Sequence, residues 1–400
     1  MTSSVMRPAE STIYNLQSEI RRIAVFRALY LGDLLCATPA LRLLRRRFPA
    51  AEITLIGLPW ADELVRRLPS LDRLEVFPGY PGIAELPHDA GKTRAYVDAA
   101  RAYGYDLAIQ MHGDGSVSNG FVAELGARFS LGYRAGADGR LTASLPYESG
   151  EHEALRWLRL VDALQIAESR LQLTESAAQS AIEIDFPITD AERDRAAELL
   201  PTANGGPLIA LHAGAKAAAR RWPAARFAAL ADALAERYGA SIVLTGGAHE
   251  RQLTADVRRA MRHPALDLAG ETDLGTFAAA IDRLDLLVTN DTGASHLAAA
   301  TGTPSVVLFG PSRPEQWAPL DRERHRVVDA LALAGPAADP STALGRLPVE
   351  AVLEACEEML AMTEDQRRKT KGWQPAIAGK ALELGGSSLV LGPSSSARRG

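Results

Sequence analysis

The stretch NDTGASH, residues 290–296, closes an apolar run and opens an alanine-rich segment, HLAAATG. A helix starting near Ser295 would leave backbone N–H groups unpaired in its first turn, and its dipole would favour negative charge there, which suits a phosphate. Gly293 lets a ligand come close to the main chain. A plain helix cap at Thr292 or Ser295 explains the same letters, so the neighbouring turns decide. One is HAGAKAAARRWP, residues 212–223, where the Gly214-Ala215 turn precedes the cations Lys216, Arg220 and Arg221. Backbone donors and guanidinium forks together fit a diphosphate. Another is LTGGAHERQ, residues 244–252, where Glu250 can accept hydrogen bonds from vicinal hydroxyls, as acids in dinucleotide folds do, or simply answer a helix dipole. In QMHGDGS, His112 ends a strand-like run and either touches a sugar or occupies a turn with no function.

Such turns converge only if each closes a buried strand. PLIALHAG, ASIVLTGG, DLLVTND and PSVVLFGP are four apolar runs, each ending in a Gly, Asn or Asp turn and separated by helical segments such as ARFAALADALAERY. Runs apolar at every position need cover on both faces, which predicts a parallel sheet between helix layers. Ligands of such sheets sit beyond the carboxyl ends of the strands. The amino-terminal half repeats the pattern in RRIAVFRAL, EITLIGL, LEVF, DLAIQM and RFSLGY, with a loop at Tyr30 to Asp33 and then a helix carrying PALRLLRRRF. The expected class is α/β, with two Rossmann-like, doubly wound parallel-sheet domains. Residues 1–18 are polar and expected to be flexible, 19–185 form the first domain, and 186–206 form a linker region. Residues 207–363 form the second domain, closed by the amphipathic LPVEAVLEACEEMLAMT, and the Gly/Ser-rich 364–400 is expected to be a disordered tail.

A chain of 400 residues, 47% hydrophobic, is long enough for two cores. Its net charge of -5 offers nucleic acid no global attraction. The basic run from Arg42 to Arg47, like Arg134, is either solvated surface or a receptor for an acidic, lipid-linked acceptor. Two distant cysteines, Cys36 and Cys356, make neither a disulfide framework nor a zinc site and fit a reducing compartment. No apolar run reaches the ~20 residues of a membrane span, and no secretory signal order opens the chain. A cytoplasmic protein beginning near its first Met is the expectation. There is no GxxxxGK[ST], no GxGxxG after the first strand, no DxD at a strand end and no spaced histidine cluster, so neither a P-loop nor a metal site is expected.

Together NDTGASHLAAATGTPSVVLFGPSRPEQWAPL, HAGAKAAARRWP, TGGAHE and RALYLGDLLCATPALRLLRRRFP resemble the heptosyltransferase family of glycosyltransferases, over roughly residues 20–330. The resemblance implies the GT-B fold, with two Rossmann-like domains facing across a cleft. It implies an inverting, metal-independent transfer of a sugar, a heptose foremost, from an ADP-sugar donor to a lipopolysaccharide-core-type or other glycan or glycolipid acceptor. The ADP-sugar is a substrate and no cofactor is implied; the place of work would be the cytoplasm, with peripheral contact at the inner face of the cytoplasmic membrane. Asp33, in LGDLL, matches the family's general base; spacing alone reads it as the cap of the first helix. Asp291, Thr292 and Gly293 match the donor-binding turn, with His296 behind it. Arg220 stands where many members carry Lys, Glu250 matches a ribose-binding acid, and Thr272 falls in the turn bordering the adenine. Gly214 and Ala215 depart from the hydroxyl residues of some members, so backbone groups would replace those contacts. An epimerase of the same architecture, and a non-catalytic nucleotide-binding protein, are the competing functions.

Overall fold

The computed structural model describes residues 19–136, 138–164, 182–201, 205–335 and 337–362, with the backbone of Val390–Leu391. The expected flexible start, 1–18, and nearly all of the expected tail, 364–400, lie outside the described residues.

The described residues divide into two compact units at Glu183/Ile184. The first contains β1 (Arg22–Phe26), β2 (Glu52–Gly57), β3 (Arg73–Val76), β4 (Leu107–Gln110), β5 (Phe129–Arg134) and β6 (Ala143–Pro146). Its strands lie in the order β3-β2-β1-β4-β5-β6, all parallel. Val390–Leu391 adds an antiparallel edge beyond β6. The helices are α1 (Leu31–Arg47), α2 (Asp62–Arg67), α3 (Ala90–Tyr103), α4 (Ser118–Glu124) and α5 (Glu153–Asp162).

The second unit contains β7 (Leu208–His212), β8 (Ser241–Thr245), β9 (Ala265–Asp267), β10 (Leu286–Asn290), β11 (Ser305–Phe309) and β12 (His325–Asp329). Their order, β9-β8-β7-β10-β11-β12, repeats the winding of the first sheet strand for strand, again wholly parallel. Its helices are α6 (Asp190–Leu199), α7 (Ala224–Tyr238), α8 (Arg251–Ala260), α9 (Leu274–Asp282), α10 (Gly293–Thr301), α11 (Pro314–Trp317), α12 (Ala330–Ala334), α13 (Pro340–Arg346) and α14 (Val349–Leu360). The segment expected as a linker thus carries α6, whose Arg193 pairs with Asp282 of α9.

Every residue of β4, β10 and β11 is buried, their mostly apolar letters and the polar Gln110, Thr289, Asn290 and Ser305 alike, as in strands covered on both faces. Two further strands of the second sheet, β9 and β12, escape the sequence pattern because both are only partly buried at the sheet's edges, and β9 has only three residues. The winding order places a switch point between β1 and β4 in one sheet and between β7 and β10 in the other, where the crossovers part to opposite sides. That is where open α/β sheets bind ligands.

The expected loop at Tyr30 to Asp33 is instead the start of α1, which opens at Leu31 and runs through Pro39. A proline inside a helix frees the carbonyl four residues back. Here that carbonyl belongs to Leu35, and the Thr38 hydroxyl donates to it at 2.8 Å. Two arginines of the basic run of α1 are spent inside the unit: Arg45 bonds Asp72 and the Ala51 carbonyl, and buried Arg47 bonds Asp162 and the Val161 carbonyl, while Arg46 is exposed.

Candidate active site

At the first switch point, Arg27 follows the last residue of β1 and the chain enters α1 four residues later. Asp33 lies in the first turn of that helix; its carboxylate accepts the Tyr30 N–H at 3.3 Å and its own carbonyl accepts Arg27 Nε at 2.8 Å. The cap position is Tyr30, so Asp33 sits inside the helix rather than at its boundary. The adjacent strand, β4, leads into Met111 and His112. The His112 ring stacks on Phe26 with centroids 5.0 Å apart, and its Nε2 stands 3.7 Å from Glu85 Oε2. Burial, aided by the Arg27 charge, lowers the His112 pKa from 6.5 to about 4, which keeps the ring neutral near pH 7. Sequence and sheet together bring Asp33 and His112 to neighbouring strand ends of one unit.

At the second switch point the turns are built from small residues. Asn290, the last residue of β10, donates through Nδ2 to the carbonyls of Ala213 at 2.9 Å and Gly214 at 3.2 Å, and accepts the Trp222 N–H at 3.1 Å. This one side chain therefore closes the 213–222 loop onto β10. Inside the loop, Ala218–Arg220 form a single 3-10 turn that swings Arg220 onto Asp291, where its Nη2 bonds both the carboxylate and the carbonyl, the latter at 2.7 Å. Asp291 is 3% exposed, and Ser312 Oγ donates to the same carboxylate oxygen at 2.6 Å. Arg221 instead turns back to the Ala215 carbonyl at 2.7 Å, while Lys216 is exposed.

The helix after Asp291 starts at Gly293, two residues earlier than expected, because Thr292 in extended backbone caps it. Thr292 Oγ1 accepts the Ala294 N–H at 3.3 Å. The cap and the anion-favouring helix end therefore coincide in one turn. His296 lies buried behind it, and burial lowers its pKa below the usual range while the Asp291 carboxylate opposes the shift.

The turns after β8 and β9 continue the row. Glu250 folds back to accept the Gly247 N–H at 2.9 Å, and its carboxylate lies over Gly214 so closely that any Cβ at 214 would run into Oε1. Gly214 is thus explained by Glu250: the missing side chain is the room the carboxylate occupies. Gly270 N–H donates to the Gly246 carbonyl at 2.9 Å and ties the Thr272 turn alongside. Half-buried Thr272 directly precedes Asp273, which caps α9 through the Thr276 N–H at 2.7 Å. The structure therefore gathers Gly214, Ala215, Lys216, Arg220, Glu250, Thr272, Asp291, Thr292, Gly293 and His296 along the carboxyl ends of four adjacent strands, β9, β8, β7 and β10. Neighbouring strands are about 5 Å apart, so the row has the reach of a nucleotide.

Among the residues of these clusters, Asn290, Ser312, Glu85 and Arg27 were not singled out from the sequence. Asn290 ends β10 and Ser312 lies in the turn after β11, where Asn and Ser are ordinary strand-end letters. Arg27 left a signal, since a charge directly after the all-buried IAVF of β1 needs a buried partner. Among the described residues no three His, Cys, Asp or Glu stand together as a metal-ligating group.

Two identically wound sheets, one ending in a carboxylate and a neutral imidazole and the other in a cation-bearing, small-residue turn, define a two-unit α/β protein equipped for group transfer. The family model described as glycosyltransferase family 9 (heptosyltransferase) matches residues 94–334, more than half of the chain, and the protein belongs to that family. It is a glycosyltransferase. Lipopolysaccharide heptosyltransferase 2 of Escherichia coli K12 is 26% identical over 311 residues, covering 76% of this chain and 86% of that one. Among solved structures, the glycosyl transferase family 9 protein of Veillonella parvula superimposes with a TM-score of 0.68 at 22% identity, covering 86% of this chain and 98% of its own. The E. coli ADP-heptose lps heptosyltransferase II gives 0.64 at 22% identity, with 85% and 98% covered. The fold is therefore that of the heptosyltransferases. Among the described residues no helix is long and apolar enough to cross a membrane.

Proposed function

We propose that this glycosyltransferase moves a heptose from an ADP-sugar to a glycan acceptor of the lipopolysaccharide-core type, with inversion and without a metal. The observation that carries the donor half is the Arg220–Asp291 turn at the second switch point, flanked by the capped start of α10 and by Glu250. A diphosphate leaving with growing negative charge is met there by a guanidinium and a helix end, a role worth roughly 3 kcal/mol per well-placed donor elsewhere. Glu250 suits the ribose hydroxyls and the Thr272 turn borders the base. Asp33 takes the proton of the acceptor hydroxyl as its oxygen bonds the anomeric carbon and the bond to ADP breaks. Relatives named for lipopolysaccharide heptosyl transfer support the sugar and the acceptor class. An acceptor on a lipid anchor implies work at the inner face of the cytoplasmic membrane.

The test uses ADP and Asp33→Ala. ADP raises the melting temperature without added magnesium, and Asp33→Ala keeps that shift while transfer from ADP-heptose falls at least ~1,000-fold, as loss of an essential base does. Unchanged turnover in Asp33→Ala removes it from the mechanism. A shift seen only with magnesium overturns the metal-free reading, and product formed from donor alone identifies an epimerase.

A further inference from the structure

Arg27 is completely buried, and each arm of its guanidinium reaches a different element. Nε donates to the Asp33 carbonyl at 2.8 Å, Nη1 donates to the Met111 carbonyl, and Nη2 meets Glu153 Oε1 of α5 at 3.1 Å. Its plane lies over the Trp157 ring at 4.7 Å, and Trp157 Nε1 donates to the same Glu153 oxygen at 2.8 Å. The other Glu153 oxygen takes Arg156, and Glu151 beyond it pairs with Arg159 at 2.6 Å. A line of alternating charges thus runs from the turn before α5 into the switch point of the first sheet.

Burying an ion pair carries a desolvation penalty, and replacing such a pair with apolar side chains of similar volume often costs no stability. What an apolar side chain cannot do is bond the carbonyls of two turns on adjacent strand ends at once. Only a planar fork can hold both and still face Glu153. We propose that Arg27 is a positioning residue for transfer: it fixes the Asp33 turn against the Met111–His112 turn, so that the carboxylate stands where an acceptor hydroxyl is to be deprotonated. The inference rests on the reading of Asp33 as the base. A displacement of about 1 Å at such a group costs on the order of 100-fold in rate, so the fork has a measurable effect.

Arg27→Lys keeps the charge and the Glu153 pair but cannot span three directions. In the full-length protein kcat should fall about 30- to 100-fold, while KM for ADP-heptose and ADP affinity stay within about twofold. Amide hydrogen exchange should rise at residues 28–34 and 111–114 and remain slow in β1 and β4. A purely structural role predicts the reverse: faster exchange through the whole sheet with kcat of the folded fraction preserved. Undiminished kcat, or unchanged exchange at both turns, overturns the proposal. Should Arg27→Lys not fold, Glu153→Gln withdraws the charge that orients the fork, and a kcat loss of about fivefold or more with the same exchange pattern is expected; undiminished kcat again overturns it. The two readings fail separately. If Asp33→Ala retains turnover, the base assignment falls; if it abolishes turnover while Arg27→Lys does not reduce it, only the positioning role falls.

Discussion

β1 and β7 occupy the same place in two identically wound sheets, yet the segments that leave them differ at every step. After β1 comes a buried arginine, a helix begun within five residues and an acid in its first turn; side chains of Arg27, Phe26 and His112 fill the strand ends. After β7 comes Ala-Gly-Ala, a loop of small residues held by Asn290, with its cation delivered from the far end of the loop. Winding places a site in each sheet; the size of the residues at the strand ends decides whether side chains or backbone face the ligand. The first end is suited to moving a proton, the second to holding an anion.

That contrast can be broken most severely at the anion side. Arg220→Gln retains a donor toward Asp291 but removes the charge, so transfer should drop on the order of 100-fold while His112 and its surroundings are unaffected, judged by steady-state kinetics beside a histidine NMR titration. Turnover within about threefold of the parent would remove Arg220 from leaving-group stabilisation.

The first sheet's imidazole sharpens the contrast through pH. The folded-state pKa of His112 lies below its ordinary 6.5, at about 4, so its contribution to stability is whole above 6.5 and is lost as pH falls toward 4. At pH 5 the loss amounts to roughly 2 kcal/mol by proton linkage. His112→Gln should therefore flatten the fall in unfolding free energy between pH 7 and 5 by about that much, measured by denaturant titration at both values. Parallel curves for parent and variant would mean that the ring is not held neutral.

The smallest expected effect tests why the second sheet uses glycine. Gly214→Ala puts a methyl against Glu250 Oε1, and the flexible carboxylate moves aside. ADP affinity by calorimetry should fall about tenfold, the worth of one or two hydrogen bonds, with little change in melting temperature. Unaltered affinity would show that Glu250 does not touch the nucleotide.

Whereas the Thr272 turn was reached only through the family resemblance, the alternating apolar runs and their Gly, Asn and Asp turns made the α/β class, the central strands of both sheets and the turns after β7, β8 and β10 legible from the letters alone. Edge strands such as β9 and β12 were not, because partial exposure dilutes the apolar signal on which strand recognition depends. Nor was the start of α1, read as a loop through Asp33 although the helix opens at Leu31 with Tyr30 as its cap. Arg27 signals a buried partner, but nothing local names Glu153, 126 residues away.

Each strand-end floor also stands on its own hydrophobic cluster, one built around Phe26, Phe77 and Phe121 and the other around Trp222, Phe227 and Leu230. No residue is common to these two clusters, so side-chain changes within one leave the composition of the other untouched. Under the proposed function, drift in the first cluster bears on the acceptor and drift in the second on the donor. Kinship across the family should then be read separately for each half.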